Sequence, residues 1–403
     1  MLAMKYIVCI WALVLAGTNC WCAKKLTVDQ VEDLLRSMHQ EKRSDTEIAT
    51  ALKQVELSQE LTRGRMNGLI RFAPGPLSTE QVYVLEAESA TLVPPESDLP
   101  STSAPDDVAQ KAMLDKAAAY VDNAYEQLPG LTATRISLRF QDNVEALAAA
   151  SGLQGGAKDV VVGSGFSNPA SFVHFIKSSE TQIVSVGGSE KPPEQKDTTP
   201  WGANKMIALM EPIPALTEVF HDAQSAGELH WLRWESIGGI PAAVFAFDVP
   251  RKKTHLDVHI CCFPNINQAG IATFYTALTA PALSDGGASN SGGVAGNFQT
   301  RTEWHDYNTT APYHGELFID PQTGVVVRMI LAAELKPSDV VHTFGARVDF
   351  GPIRVTNRVY VVPVKSYVDT LVVPNGDSGA ATYTTRRTLF TSEYKDYELS
   401  PPK

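Results

Sequence analysis

Between residues 313 and 369 apolar and polar side chains alternate with a period of two, the spacing of strands that have two distinct faces. Residues 316–319 and 325–331 are rich in β-formers and flank Asp320-Pro321-Gln322-Thr323-Gly324. That run supplies an Asx-capable residue, a preset φ and a position for positive φ. The pattern predicts a hairpin in which residues 315–319 pair antiparallel to residues 325–331 and Gly324 has φ > 0. Further on, Arg347, Asp349 and Arg354 interleave with Val348, Phe350, Ile353 and Val355, and Thr356-Asn357 turns the chain into residues 358–373, a second long hairpin. Period-two stretches at 135–140, 172–176, 182–186, 229–235, 242–248, 256–263 and 387–394 extend this into one β unit over about residues 132–397. Trp231 and Trp234, three apart on one strand, are expected on opposite sides.

Ahead of the sheet the period is helical. Thr27 with Gln30, Ser44 with Glu47 and Ser78 with Gln81 each fit a capping box, in which a hydroxyl and a longer polar side chain cap reciprocally. Val31, Leu34, Leu35 and Met38 form one apolar stripe and Ile48, Leu52 and Val55 another, so three or four short helices pack together. Residues 93–107, rich in Pro, Ser and Asp, read as a surface linker. Leu114, Ala118, Val121, Tyr125 and Leu128 then mark a helix closed by Pro129-Gly130, and residues 212–226 suit one more. The expected organisation is a signal peptide at 1–23, a helical domain at 24–92, a linker at 93–107, a helix leading into the sheet domain at 108–131, and an antiparallel β domain at 132–403. The fold class is α+β: an N-terminal helical bundle plus a large curved antiparallel sheet with covering helices.

A chain of 403 residues suits two folding units, and its 44% hydrophobic content is ample for a core. The formal charge of −11 and the absence of a basic stripe exclude a nucleic-acid partner. After Lys5, residues 6–16 are apolar, and small residues follow before Lys24-Lys25. That run is too short to span a bilayer and reads as an export signal, so the mature protein is expected to be periplasmic or secreted, without a transmembrane segment. Of five cysteines, Cys9, Cys20 and Cys22 belong to this leader, which leaves Cys261 and Cys262 pointing to opposite faces of a strand, with no zinc spacing and no disulfide framework.

Candidate chemistry is sparse. Gly376-Asp377-Ser378-Gly379-Ala380 copies the nucleophile neighbourhood of chymotrypsin-like proteases, but no segment supplies the histidine base that a serine nucleophile needs. His255, Asp257 and His259 alternate along one strand, a ligand set suited to zinc. Leu256, Val258 and Ile260 form an equally clean apolar face, and the polar face then reads as solvated. Glu303, His305, Asp306 and His314 are loop residues without a recognisable spacing, and no cofactor is indicated.

The strings LHWLRWE at 229–235, AVFAFDVP at 243–250, HICCFP at 259–264, residues 313–339 and VDFGPIRVTNRVYVVPVKS at 348–366 resemble an uncharacterised family of secreted bacterial proteins. Val362 stands where that pattern has a cysteine, and His259 is not part of it. The D-P-x-T-G-x-V-x-R run at 320–328 is similar to strands of the LolA/LolB lipoprotein-carrier superfamily. That similarity implies a half-barrel whose helix-covered concave face binds acyl chains. The expected function is an exported, non-catalytic binding protein of the cell envelope, holding a lipid or other hydrophobic ligand in a groove that includes Leu256, Val258 and Ile260. Two alternatives stand beside it: an envelope interaction or assembly protein docking through its N-terminal helices, and a metal-dependent hydrolase built on His255, Asp257 and His259.

Overall fold

The computed structural model describes residues 24–124, 128–141, 173–191, 212–227, 229–264, 304–372 and 386–400. Residues 1–23 with Cys9, Cys20 and Cys22, together with Tyr125, Glu303 and the stretch Gly376-Asp377-Ser378-Gly379-Ala380, lie outside them. At the N-terminal end β1 (Lys24–Leu26) pairs in parallel with β2 (Val55–Leu57), accompanied by α1 (Val28–Gln40), α2 (Asp45–Leu52), α3 (Arg63–Ile70) and α4 (Pro76–Glu88).

Two of the three predicted caps form. Thr27 Oγ1 accepts from the Gln30 amide at 3.2 Å while Gln30 Oε1 accepts from the Thr27 amide at 3.0 Å, and Ser44 with Glu47 repeats the exchange at 3.3 and 2.9 Å. The third does not form, because α4 starts at Pro76, ahead of Ser78. Proline suits the first turn, where its missing N–H has no intrahelical partner in any case. Gly75 at the N-cap has no side chain to offer. Asp45 of α2 takes over, accepting from the Leu77 and Ser78 amides at 3.0 and 2.9 Å. Val28, Val31, Leu35, Ile48, Leu52, Leu69, Val82 and Leu85 form the core among these helices.

After α5 (Asp107–Ala124) the chain enters the sheet through β3 (Leu131–Gln141), β4 (His174–Val186) and β5 (Ser189–Glu190). Next come α6 (Pro212–Ala226), β6 (His230–Ile237), β7 (Ile240–Val249), β8 (Asp257–Pro264), β9 (Trp304–Thr310), β10 (Tyr313–Ile319) and β11 (Val326–Ala333). The series ends with β12 (Val341–Val355), β13 (Arg358–Val372) and β14 (Arg386–Leu399). Ten strands form one sheet in the order β5-β4-β3-β14-β13-β12-β11-β10-β7-β6, and β8 pairs with β9 separately. All the pairings in the large sheet are antiparallel. The fold is therefore α+β around a large antiparallel sheet. β14, the final strand, lies between β3 and β13, so the middle of the sheet joins chain segments far apart in sequence.

Both predicted hairpins are present. Gly315 opposes Leu331 in β10–β11, and Gly324 has φ +78°. Asp320 Oδ1 accepts from the Gln322 amide at 2.9 Å, the Asx bond that the turn sequence suggested. A Cβ at Gly324 would lie 2.6 Å from the Lys116 carbonyl carbon, so glycine also lets the turn dock on α5. The tryptophan expectation is corrected. The register of β6 against β7 shifts between Trp231 and Arg233, and this bulge inserts one residue and reverses the parity. Trp231 and Trp234 consequently meet edge to face, 4.9 Å between ring centroids.

The two faces of the sheet differ in chemistry. One carries Arg233, Glu316, Arg328, Arg347, Asp349 and Lys365, and the N-terminal helices pack there. Glu60, on the turn between β2 and α3, pairs with Arg347 at 2.5 Å and Arg328 at 3.4 Å. Asp349 receives Arg347 (2.7 Å) from its own strand and Arg328 (2.6 Å) from the neighbouring β11, and Arg347 also donates to the Ala90 carbonyl at 2.9 Å. On α4, Glu86 takes Lys365 at 2.7 Å together with the Tyr367 hydroxyl, and Glu88 takes Arg387 at 3.0 Å. Val84, Ala87 and Ala90 pack beside these pairs against Phe140, Tyr367 and Leu389.

Two measurements test this arrangement. Gly324→Val is expected to destabilise by about 1–3 kcal/mol in urea unfolding, since it adds positive-φ strain to a clash with α5. Burial pushes the Glu88 carboxyl up to about 7, against the pull of Arg387 and with the repulsion of Asp369 and Glu56. A carboxyl raised on folding contributes stability that is complete below its unfolded pKa near 4.5 and is lost as pH rises through about 7. Glu88→Gln, which keeps an acceptor for Arg387, should match the parent at pH 4.5 and exceed it by about 1–3 kcal/mol at pH 8. A parallel pH dependence of the two proteins would contradict this.

Candidate ligand-binding face

Directly opposed residues on antiparallel strands project to the same side, so the register defines rows of side chains across the other face. One row runs Phe245, Leu317, Met329, Val348, Ser366, Ser392, Ser137 across β7, β10, β11, β12, β13, β14 and β3. The next runs Phe247, Gly315, Leu331, Ala346, Val368, Phe390, Arg139, and a third holds Phe344, Thr370, Thr388 and Gln141. Every row passes from apolar to polar in the same direction. At the apolar end α6 contributes Leu216, Val219 and Phe220 and α5 contributes Ala117 and Val121 to a continuous core. Gly315 is needed there for space: a Cβ would come within 2.6 Å of the Phe247 ring.

The polar end is also buried. Ser137, Arg139, Gln141, Thr370, Thr388 and Ser392 are all at most 4% exposed. Ser137 and Ser392 satisfy one another through their hydroxyls at 2.8 Å. Arg139 lies over the Phe390 ring, 5.8 Å from its centroid, and donates to Gln141 Oε1 at 2.6 Å. That bond orients the amide and leaves its NH2 end, Gln141 Nε2, buried without a hydrogen-bond partner; Thr388 Oγ1 is in the same condition. Such groups cost roughly 1–3 kcal/mol each when left unpaired, and natural proteins hold few of them. Burial pushes the Arg139 guanidinium down to about 10.

The residues singled out from the sequence fall elsewhere. Leu256 and Val258 are 5% and 0% exposed and belong to the main core beside α6. The side chains of His259, Ile260, Cys261, Cys262, Trp304, His305 and Asp306 are outside the described residues. His255 precedes β8 and points outward, with Nδ1 2.6 Å from Oδ1 of Asp222 on α6. Asp222 Oδ2 accepts the His255 amide at 2.8 Å and the Tyr313 hydroxyl at 3.0 Å. This buried carboxylate therefore fastens the segment before β8 to α6 and β10. Its hydrogen bond raises the His255 pKa, reinforced by its charge and that of Glu218, while burial pushes the Tyr313 phenol well up. Asp257 instead accepts from Thr310 Oγ1 at 2.6 Å. His314 faces Glu334 at 3.4 Å with both side chains exposed. Among the described residues no group of three His, Cys, Asp or Glu side chains is arranged to hold a metal, and no helix is long and apolar enough to cross a membrane.

Arg139 and Gln141 on β3, Thr370 on β13 and Thr388 on β14 escaped sequence reasoning because period-two alternation does not say which strands lie side by side or what covers a polar face. Asp222 gave no signal beyond its place in an amphipathic helix. No family model, no curated protein and no solved structure matches the chain.

Replacing Asp222 separates anchor from catalyst. Asp222→Ala leaves the Tyr313 hydroxyl and the His255 amide without their acceptor and is expected to cost about 2–4 kcal/mol in urea unfolding. His255→Gln at the exposed end should leave the unfolding midpoint unchanged at pH 8. A raised histidine contributes stability below its unfolded pKa and loses it as pH rises through the folded one, so the variant should fall below the parent only in acid.

Proposed function

We propose that the chain is an exported, non-catalytic binding protein of the cell envelope that holds an amphiphile, an acyl lipid, against the helix-covered face of its large sheet. The observation that carries this reading is the gradient along that face, from Phe245, Leu317 and Met329 at one end to buried Arg139, Gln141 and Thr388 at the other. Ligand sites are mostly apolar with a few placed polar groups that fix orientation, and an amphiphile presents the matching pair of surfaces. A closed core has no use for polar atoms left without partners, whereas a binding face does. The similarity of the 320–328 hairpin to LolA/LolB strands supports the same reading, with the sheet as a curved half-barrel and the helices as its cover. Catalysis has less support: His255 and Asp257 point to different partners, and Asp222 is committed to holding α6, β8 and β10 together.

Native mass spectrometry of the protein purified from its own host tests the proposal. A one-to-one adduct with the mass of an acyl lipid, removed by delipidation and restored by a fluorescent fatty acid, is the expected result. Protein found only at its bare mass, with no uptake of the fluorescent fatty acid, would overturn it.

A further inference from the structure

We infer that residues 24–99 form a cover that detaches from the sheet as one body when the pH rises above neutrality, swinging on residues 100–106, with Glu88 as the trigger. The inference stands apart from the lipid-binding role and concerns the opposite face of the sheet. The cover has a core of its own, in which Val31, Leu35, Ile48, Leu52, Val82 and Leu85 pack separately from the main core of the sheet. Its last stretch is tied back onto it: the Glu60 amide donates to the Val93 carbonyl at 2.9 Å, and Arg65 holds Asp98 at 2.6 Å. Residues 100–106 then form neither helix nor strand before α5 begins at Asp107. A body with its own core on such a tether can move as a unit. Against the sheet α4 sets the small side chains of Val84 and Ala87 beside the carboxylates of Glu86 and Glu88.

Glu88 is the carboxylate in excess at this contact. Arg387 binds Asp369 through Nε at 3.1 Å and Nη2 at 2.7 Å and reaches Glu88 with Nη1 at 3.0 Å, while Glu56 on β2 adds a third negative charge. Lys365 is held by Glu86, and Arg347 by Glu60 and Asp349. The other elements packed on α4 direct their polar groups elsewhere. Asp45 of α2 caps the start of the helix, α3 turns Arg63 to Glu393 and Arg65 to Asp29 and Asp98, and β4 gives the Phe175 amide to Glu80. His174 on β4 lies opposite Gln141, on the face away from α4. Burial, with Asp369 and Glu56, therefore raises the Glu88 carboxyl to about 7 against the attraction of Arg387. A group raised by docking favours the docked form fully below its free pKa near 4.5, and that contribution is lost as pH rises through about 7. Between pH 5.5 and 8 this weakens docking about 30-fold. Detachment uncovers Arg328, Arg347 and Lys365, which Glu60 and Glu86 cover in the docked form.

Thiol labelling of the intact protein tests this without any ligand. Ala87→Cys places a thiol in the contact with the sheet, Ala49→Cys places one inside the cover on α2, and Ala346→Cys places one in the main core, at positions 5%, 4% and 1% exposed. Each variant is labelled with a maleimide at pH 5.5 and pH 8, the labelled peptide is identified by mass spectrometry, and the rate is divided by that of the same variant in urea at the same pH. The corrected rate at position 87 should rise about 30-fold from pH 5.5 to 8, while positions 49 and 346 change less than about threefold. Adding Glu88→Gln should cut the rise at position 87 to less than about threefold. A pH-independent rate at position 87 overturns the inference. So does a rise shared by position 49 or 346, which reports unfolding in place of detachment, and so does a rise that survives Glu88→Gln. If Ala87→Cys fails to fold, Ala90→Cys, 2% exposed in the same contact, gives the same readout.

Discussion

The structure depends on a buried cluster of opposite charges: Glu60, on the turn between β2 and α3, against Arg328, Arg347 and Asp349 on adjacent strands of the sheet. Removing four such groups from water costs several kcal/mol for each, and attraction compensates only where geometry is close and the remaining donors are used. Here they are. Arg347 grips Asp349 through two nitrogens at 2.9 and 2.7 Å, reaches Glu60 with a third and shares that one with the Ala90 carbonyl. Burial opposes ionisation of Asp349, yet the Arg328 and Arg347 guanidiniums hold its carboxyl well below the usual carboxylate range. The cluster thus keeps its charge in moderate acid. Its aromatic neighbours contribute too, with Arg347 over Tyr367 at 5.1 Å and Arg328 over Phe318 at 5.3 Å.

An ionic contact of this kind is specific in a way that apolar packing is not, because a one-residue slip in register would turn the arginines to the other face. It assigns the N-terminal helices to one side of the sheet and leaves the opposite side to α5 and α6. Glu86 and Glu88 on α4 extend the same contact over β13 and β14, and the raised Glu88 carboxyl makes that part the one sensitive to pH near neutrality.

On that second face the strand order matters as much as composition. β14 brings Thr388, Phe390 and Ser392 between β3 and β13, and so sets the hydroxyls and Arg139 beside the apolar centre built by β7, β10, β11 and β12. Neither end of the face is local in sequence: Arg139 and Phe390 belong to opposite ends of the sheet domain. The Asp222 anchor acts similarly, drawing α6, the start of β8 and β10 to one buried carboxylate.

Local physics was legible in the sequence. The Asp320 to Gly324 turn has one economical backbone solution, and both hairpins, two of the three helix caps and the helix at Pro212–Ala226 follow from residue preferences that act within a few positions. Alternation in β3 and β12 correctly separated Arg139 from Phe140 and Arg347 from Val348. The burial of both polar sides was not legible in that alternation, because parity says which residues share a face and nothing about what covers it. The cover comes from segments distant in sequence, Glu60 for Arg347 and β14 for β3, and the bulge at Trp231 is set by pairing with β7. The tertiary structure alone decided which polar residues are buried, which of them are paired and which keep donors to offer, since each of these is a property of two chain segments meeting.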